Sequence, residues 1–302
     1  MSELELAGRT LGGYRVDALL GRGAFGWVYR AHQLSLDRTV ALKVLDPVVA
    51  RNPDAARRFD REGRSAASLD HPAIVEVFDA DSSGGLHYLA MQLIDGIALD
   101  ELLRRRRLAP GELGAMMVRI APALDHAHAR GVVHRDVKPA NILLEQGNPA
   151  RAWLGDFGIA VSVRVAGALS TATVGTAHYM APEQLEPARV GPASDQYSLA
   201  CVAYEALTGR RPFGTGNGDD VMAVLLAHRA DPVPPTGSPA LDAVFRTALA
   251  KSPADRYPTV RDFAAALDRA RRTSAARPPQ PPASPADLGQ RPANGVAPRS
   301  TA

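Results

Sequence analysis

The sequence predicts an α+β fold in two unequal lobes, a small strand-rich N-terminal lobe with one main helix and a larger helical C-terminal lobe. In residues 10–45, short runs of β-branched and aromatic side chains alternate with glycine turns, which is typical of strands. Beyond Asp95-Gly96 the apolar residues recur at helical spacing, for example at Leu113, Met117 and Leu124. With 302 residues and 46% hydrophobic content, the chain can bury a sizeable core.

The predicted elements follow in order along the chain. Strands are expected at 14–16, 27–31, 40–45, 74–78 and 87–93, and the main N-terminal helix at 53–69. Helical spacing covers 97–130 and returns at 194–207, 219–228, 241–250 and 260–272, with short strands and turns over 131–158. The chain therefore divides into an N-terminal leader (1–9), an N-lobe (10–95), a C-lobe (96–271) and a proline-rich tail (272–302). The tail has few large apolar side chains, so we expect it to be disordered.

Composition narrows the classes of function. The formal net charge is only +3, and the one dense basic run, residues 104–107, does not make a nucleic-acid binder. That run is either a solvated helix end or a docking patch for an acidic partner. The single cysteine, Cys201, lies in an apolar stretch and is expected to be a buried small hydrophobe in a reducing compartment. The chain has no apolar run of about 18 residues and no signal-peptide pattern, so we expect a cytoplasmic protein without a membrane span.

Lysine is rare in this chain, and its positions are informative. Of the 35 basic residues only Lys43, Lys138 and Lys251 are lysines. An exposed positive charge can be either residue type, but a planar guanidinium does not fit a site built for a compact ammonium. The three lysines are therefore candidates for chemistry.

Gly21, Gly23 and Gly26 form a glycine-rich turn whose backbone N–H groups could approach phosphate oxygens. The same spacing opens dinucleotide-binding folds, where a helix follows the glycines. Here a β-branched and aromatic run follows, which favours a hairpin lid over nucleotide phosphates. Lys43 lies inside the next apolar run, where an ammonium needs a partner or a ligand. Glu62, on the predicted helix, is either that partner or a surface residue.

Residues 134–141 place several polar side chains between two apolar runs. Asp136 can accept a proton or orient a hydroxyl, and Lys138 can neutralise a transferring phosphoryl group. Asn141 and the later Asp156 offer the hard oxygen ligands that Mg²⁺ prefers. The pattern indicates chemistry on a phosphate ester.

In these motifs the chain resembles the protein kinases, and specifically the bacterial eukaryotic-like (Hanks-type) serine/threonine kinases. The glycine turn, the strand lysine, the 134–141 block, Asp156-Phe157-Gly158 and Ala181-Pro182-Glu183 occur in family order over about residues 10–271. The resemblance implies a two-lobed protein kinase fold with an antiparallel-sheet N-lobe. It implies transfer of the γ-phosphoryl group of ATP to serine or threonine hydroxyls of protein substrates. A catalytically weak pseudokinase scaffold is the alternative, while a dinucleotide-dependent oxidoreductase and a small-molecule kinase fit the later motifs less well.

The resemblance also implies catalytic roles. Asp136 would face the substrate hydroxyl, and Lys43, paired with Glu62, would contact the α- and β-phosphates. Lys138 would reach the γ-phosphate, with Thr176 hydrogen-bonding nearby; both residues are similar to the serine/threonine class. Mg²⁺, or Mn²⁺ in its place, would be held by two residues, Asn141 and Asp156.

The nucleotide-binding residues follow from the same resemblance. The three glycines would cover the phosphates and Met91 would be the gatekeeper. The base would lie between Val28, Ala41 and Leu143, and hinge backbone groups would come from Gln92 and Ile94.

Regulatory and structural roles complete the comparison with the family. Arg135 would bind a phosphate on the activation loop, with autophosphorylation expected at Thr171 or Thr173 and Ser170 as a third site; alternatively these are simply polar loop residues. A kinase homodimer would serve autophosphorylation in trans. Asp195 would brace the loop that carries Asp136, and a C-lobe ion pair is expected between Glu183 and Arg256.

Overall fold

The N-terminal lobe is a six-stranded antiparallel sheet. The computed structural model describes residues 5–23, 26–157, 172–186, 189–214 and 220–276. The strands of this lobe are β1 (Thr10–Leu11), β2 (Tyr14–Gly23), β3 (Gly26–Gln33), β4 (Arg38–Leu45), β5 (Val77–Ser83) and β6 (Leu86–Met91). They lie in the order β1-β2-β3-β4-β6-β5, so that β4 occupies the interior of the sheet.

Strand β4 is buried on both faces because each face has its own apolar cluster. Val40, Leu42 and Val44 pack on the outer face, and Ala41 and Leu45 pack on the inner face. Side chains alternate along a strand, so Lys43 shares the inner face with Ala41 and Leu45. The sheet therefore directs the ammonium of Lys43 toward the inside of the molecule.

Helix α2 (Pro53–Ala67), preceded by the short α1 (Pro47–Ala50), covers the inner face of the sheet. It begins where Asn52 accepts a hydrogen bond from the Asp54 N–H, and Pro53 fits the first turn. Phe59 packs into the inner cluster. A Cβ atom at Gly63 would lie 2.3 Å from Leu89 Cδ2, so the absence of a side chain lets the helix approach β6 closely.

The C-terminal lobe is helical and is built around α6. Its helices are α3 (Leu99–Arg105), α4 (Pro110–His128), α5 (Ala172–Ala177), α6 (Pro192–Thr208), α7 (Val221–Ala230), α8 (Pro239–Ala248) and α9 (Val260–Ala276). Residues of α6 are buried on all its sides, as expected of a central helix. The helix ends at Gly209, whose φ of 73° is the left-handed conformation that glycine adopts readily.

A small sheet lies between the lobes and carries the polar motif residues to the cleft. Its strands are β7 (Gly96–Ala98), β8 (Ile142–Glu145) and β9 (Ala152–Leu154), in that order across the sheet. The N–H of Val75 donates to the Leu154 carbonyl at 2.9 Å, and the N–H of Leu154 donates to the Ala73 carbonyl at 2.8 Å. These bonds attach the segment that follows α2 to the C-terminal lobe.

The predicted two-lobed α+β fold is confirmed, with differences at element boundaries. The strand expected at 74–78 starts only at Val77, because Ile74 and Val75 bond to β9 instead of β6. The segment expected to be helical over 97–130 is divided into β7, α3 and α4. The apolar spacing did not reveal the break between the two helices. Helix α9 continues to Ala276, beyond the end expected at 272.

Candidate active site

A cleft of about 440 Å³ lies between the sheet of the N-lobe and β8. Six of the residues expected to hold a nucleotide base line it, and so does Gly21. These six are Val28, Ala41, Met91, Gln92, Ile94 and Leu143. Gly23 and Gly26 instead pair with each other across the β2–β3 hairpin, outside the lining of the cleft.

Sequence reasoning missed other residues of this cleft. Val75, Asp95 and Gly155 also line it. Val75 is brought there by its bond to Leu154, and Asp95 by its place at the turn into β7. Val75 carries no local sequence signal, because its place depends on pairing between distant segments, and the Asp95-Gly96 pattern indicates a turn but not a place in the cleft.

Lys43 forms an ion pair with Asp156, which lines the cleft. The Lys43 Nζ atom lies 2.8 Å from Asp156 Oδ1, and the lysine side chain is only 11% exposed. Burial is the largest single influence and raises the pKa of Asp156, but the charge and hydrogen bond of Lys43, with smaller contributions from Lys138 and His134, together lower the pKa below its ordinary value. Asp156 has a left-handed backbone, with φ of 60°.

The predicted partner of Lys43 needs a correction. Among the described residues, the ion pair of Lys43 is with Asp156, and the expected pair with Glu62 is not formed. Glu62 lines a different cavity of about 250 Å³, together with Arg61, Arg135 and Phe157. The conformation of Asp156, which brings its carboxylate to the ammonium, accounts for the difference. Sequence spacing alone cannot give that conformation.

The loop around Asp136 brings four of the predicted residues together. Lys138 Nζ donates to Asp136 Oδ2 at 2.7 Å and to Thr176 Oγ1 at 3.1 Å. Asn141 Nδ2 donates to the Asp136 carbonyl at 2.7 Å and to Asp136 Oδ2 at 3.1 Å. Asp136 is 3% exposed. Its carboxylate is therefore held in one direction by two neighbours, and Thr176 joins through the lysine.

Asp195 braces this loop by hydrogen bonds to its backbone, as predicted. Its Oδ2 accepts the N–H of His134 at 2.8 Å, and its Oδ1 accepts the N–H of Arg135 at 2.7 Å. A third contact, which sequence reasoning missed, comes from His128 Nε2 at 2.7 Å from Oδ2. Buried carboxylates need such donors, because desolvation otherwise disfavours their charge.

The predicted ion pair of the C-lobe is also confirmed. Arg256 donates from its two terminal nitrogens to Glu183 at 2.7 and 2.8 Å, and Ser194 donates to the same carboxylate at 2.7 Å. Burial is the largest single influence and raises the pKa of Glu183, but the hydrogen bonds and charge of Arg256 and the hydrogen bond from Ser194 together lower it further, so the net shift is downward. The bidentate geometry fixes the turn at Pro182–Leu185 to the end of the C-lobe.

The third lysine is structural. Lys251 donates to the His228 carbonyl at 2.7 Å, near the C-terminal end of α7, and lies 4.1 Å from the centre of the Phe213 ring. Burial lowers the pKa of Lys251 to about 8. Cys201 is fully buried in α6, as predicted, and burial raises the pKa of its thiol.

Other predicted positions are placed as follows. Ser170 and Thr171 lie outside the described residues, and Thr173 lies in α5. In the basic run, Arg104, Arg105 and Arg106 pair with Asp100, Glu101 and Glu112, respectively. This favours the solvated helix end over a docking patch. The described residues contain no helix that is long and apolar enough for a membrane crossing.

The two-lobed fold, the cleft and the buried carboxylate beside a lysine define a protein of the kinase class. The chain belongs to the protein kinase family, since residues 14–265 match the protein kinase domain. Its similarity to bacterial enzymes places it with the Hanks-type serine/threonine kinases.

Two curated relatives are mycobacterial. The chain is 41% identical over 270 residues to the serine/threonine-protein kinase PknB of Mycolicibacterium smegmatis, covering 85% of this chain and 42% of that protein. It is 41% identical over 267 residues to PknJ of Mycobacterium tuberculosis, covering 85% and 45%. The aligned part therefore spans less than half of these relatives.

Solved structures give the same family. The kinase domain of PknI from Mycobacterium tuberculosis, as a mutant with one cysteine replaced by alanine, has a TM-score of 0.70 and 34% identity. The match covers 89% of this chain and 99% of that one. The PknI domain without that substitution has a TM-score of 0.69 and 36% identity, over 87% of this chain and 98% of that one.

Proposed function

We propose that this protein transfers the γ-phosphoryl group of ATP to serine or threonine hydroxyls of protein substrates. The observation that carries the proposal is the buried Asp136 carboxylate, joined to Lys138 and Asn141 and, through the lysine, to Thr176. A carboxylate held in this way can receive or orient a hydroxyl beside a phosphate. The named relatives, which are serine/threonine-protein kinases, support the same reading.

The cleft suits an adenine nucleotide. Val28, Ala41 and Leu143 supply apolar side chains on its two sides, and Met91 closes its back. The N–H of Gln92 is already bonded to the Glu76 carbonyl, so the hinge contacts would fall on the Gln92 carbonyl and the backbone of Ile94. The glycine hairpin, from Gly21 through Gly23 to Gly26, would lie over the phosphates.

Asn141 and Asp156 fit a divalent cation, which we assign as Mg²⁺, with Mn²⁺ as an alternative. The Asn141 amide nitrogen is committed to Asp136, which directs its oxygen to the opposite side. Both residues line the cleft and offer hard oxygen donors. When bound there with ATP, the metal would neutralise phosphate charge.

The chemistry asks the protein mainly for alignment. The substrate oxygen forms a bond to the γ-phosphorus while the bond to the ADP oxygen breaks, and the hydroxyl proton passes to Asp136. Lys138 would balance the charge of the moving phosphoryl group, and Lys43 that of the α- and β-phosphates. To contact these phosphates, the Lys43 ammonium would have to give up part of its contact with Asp156.

The test is transfer of ³²P from γ-labelled ATP to a generic basic protein. We expect Asp136→Asn to lower kcat by about 10²–10⁴-fold, the usual contribution of a positioned acid or base, while ATP binding persists. Lys43→Met and Asp156→Ala should lose transfer as well. Asp17→Asn, the same change on the N-lobe surface, is the matched control.

Two results would contradict the proposal. Normal turnover by Asp136→Asn would refute the assigned role of the carboxylate. Wild-type protein that binds ATP but transfers no phosphate to any protein would instead indicate the pseudokinase scaffold.

We further propose that the protein autophosphorylates at Thr171 or Thr173, with Ser170 as a third site. The dianion would pair with Arg135. Transfer between two copies would require a homodimer, at least transiently. Mass spectrometry after incubation with Mg·ATP tests the sites. An active enzyme in which these residues stay unmodified would contradict the proposal.

Two organisational predictions also remain as proposals. We propose a leader over 1–9, an N-lobe over 10–95, a C-lobe from 96 that extends past 271 to the end of α9 at Ala276, and a tail after it, which limited proteolysis can test. The cytoplasmic location is supported by the lone buried Cys201 and is tested by cell fractionation.

A further inference from the structure

The peptide that joins Arg135 to Asp136 has an unusual conformation. Arg135 has a φ of 65°, in the left-handed region that residues other than glycine seldom occupy. A conformation of this kind persists only where surrounding contacts fix it. The contacts that fix this peptide therefore matter for the direction in which Asp136 points.

Two hydrogen bonds hold this peptide, and a third holds the peptide before it. The N–H of Arg135 donates to Asp195 at 2.7 Å, and the N–H of Asp136 donates to His134 Nδ1 at 3.3 Å. The carbonyl of Arg135 accepts a bond from Gln184 Nε2 at 2.8 Å. This carbonyl and the N–H of Asp136 belong to the same peptide plane, so Gln184 and His134 hold its two sides.

Gln184 is itself fixed by the turn that contains it. Its Oε1 accepts the N–H of Ala181 at 2.8 Å, so the amide cannot rotate without losing that bond. The preceding residue, Glu183, is bound to Arg256 by two hydrogen bonds. The side chain of Gln184 thus joins a rigid turn of the C-lobe to the peptide of the catalytic loop.

We propose that Gln184 is a positioning residue for phosphoryl transfer, which it supports by holding the Arg135–Asp136 peptide. The inference rests on the proposed kinase function. Lys138 and Asn141 still hold the carboxylate when Gln184 is changed, so Asp136 stays in the site but loses part of its orientation. Gln184 does not line the nucleotide cleft. Its loss should therefore lower kcat and leave the KM for ATP nearly unchanged.

Two substitutions separate the two bonds of the amide. Gln184→Glu keeps an oxygen for the Ala181 N–H but has no N–H for the Arg135 carbonyl. Gln184→Met has a similar length and removes both bonds. We expect kcat to fall about three- to tenfold in each variant, the range that one net hydrogen bond accounts for, with the KM for ATP within about twofold. Gln33→Glu on β3 repeats the amide-to-acid change away from the site, where Gln33 Nε2 lies 3.4 Å from the Tyr14 hydroxyl.

The outcomes are distinguishable. A full kcat in Gln184→Glu beside a low kcat in Gln184→Met would place the effect on Ala181 and overturn the proposal. A kcat loss that vanishes once rates are corrected for the folded fraction, measured by thermal unfolding, would also overturn it, because the role would then be structural. Absence of transfer by the wild type would overturn the proposed function itself, and this inference with it.

Discussion

Arg256 and Glu183 are both buried, so removing either one leaves the charge of the other buried without its partner. The Arg256 side chain is 0% exposed and also donates to the carbonyls of Ala193 and Ala250. We expect Arg256→Met to lower the free energy of unfolding by about 3–5 kcal/mol, as for other broken buried pairs. Urea unfolding measures it.

A double-mutant cycle isolates the pair. Glu183→Gln combined with Arg256→Met should cost less than the sum of the two single changes, because no charge is then left buried alone. Additive losses would show that the pair contributes nothing beyond its separate hydrogen bonds. Arg246→Met, on α8, serves as the control for loss of an arginine elsewhere.

Lys251 makes stability depend on pH in a window set by its shifted pKa. Burial lowers the pKa from its ordinary 10.5 to about 8, so between these values the unfolded chain binds a proton that the folded chain does not. Unfolding free energy therefore rises with pH there. The free energy of unfolding of the wild type should therefore increase relative to that of Lys251→Met from about pH 8 to 10. Urea unfolding at several pH values measures it, and a difference that stays flat would contradict the shift.

The sequence predicted residues that lie in contiguous motifs, and it failed where a partner comes from a distant segment. Asp136, Lys138, Asn141 and Thr176 meet as expected. His128 and Gln184 carry no motif, since the contact of His128 with Asp195 and that of Gln184 with the catalytic loop exist only after α4 and the Pro182–Leu185 turn have packed. The partner of Lys43 differed because it depends on the backbone conformation of Asp156.

At the level of elements, α2 is placed against the sheet by a missing side chain. A Cβ atom on Gly63 would lie 2.3 Å from Leu89 Cδ2 and 3.2 Å from Ala80 Cβ, so an alanine cannot fit without movement. We expect Gly63→Ala to destabilise the fold by about 1–3 kcal/mol, as other overpacked cores do, although alanine favours helix. Thermal unfolding measures the loss.

Leu89 supplies the control for that prediction. Leu89→Val removes the atom nearest to the added methyl group, so the double variant should lose less stability than the two single changes together. Equal or greater loss in the double variant would mean that the helix is displaced by contacts other than Leu89. Gly111→Ala, where nothing lies within 4 Å of an added Cβ, is the matched control in another helix.

Element boundaries were predictable where caps mark them. Pro53, a first-turn proline, begins α2 where the helix was expected, whereas α8 begins at Pro239, before the expected start at 241, and Gly209 caps α6 after the expected end at 207. The break between α3 and α4 was missed, because the apolar spacing on both sides fits one helix. Strand β5 was displaced by pairing of the preceding segment with β9, which no local pattern reveals.

For the whole molecule, the apolar core crosses from one lobe to the other. Ala66, Leu69 and Ile74 of the N-lobe share a buried cluster with α4 and α6 of the C-lobe. Arg119 adds a bond from α4 to the Pro72 carbonyl at 2.5 Å. A shared core of this kind couples the two lobes during unfolding.

The two tryptophans can test this coupling. Trp27 is buried in the N-lobe, and Trp153 lies on β9 at the junction. The variants Trp27→Phe and Trp153→Phe each keep one tryptophan. In each variant we expect the fraction unfolded from the fluorescence of that tryptophan to coincide with the fraction unfolded from circular dichroism. Different unfolding midpoints from fluorescence and circular dichroism in the same variant would show that the lobes unfold separately.

The solitary cysteine inside α6 has a practical consequence for measuring motion. Cys201 is fully buried and its thiol pKa is raised, so maleimide and spin-label reagents should leave it untouched in the native state. New cysteines placed on exposed positions of α2 and of the C-lobe could then be labelled without first removing the natural one. Distances between such labels, with and without nucleotide, would report directly whether the two lobes close over the cleft.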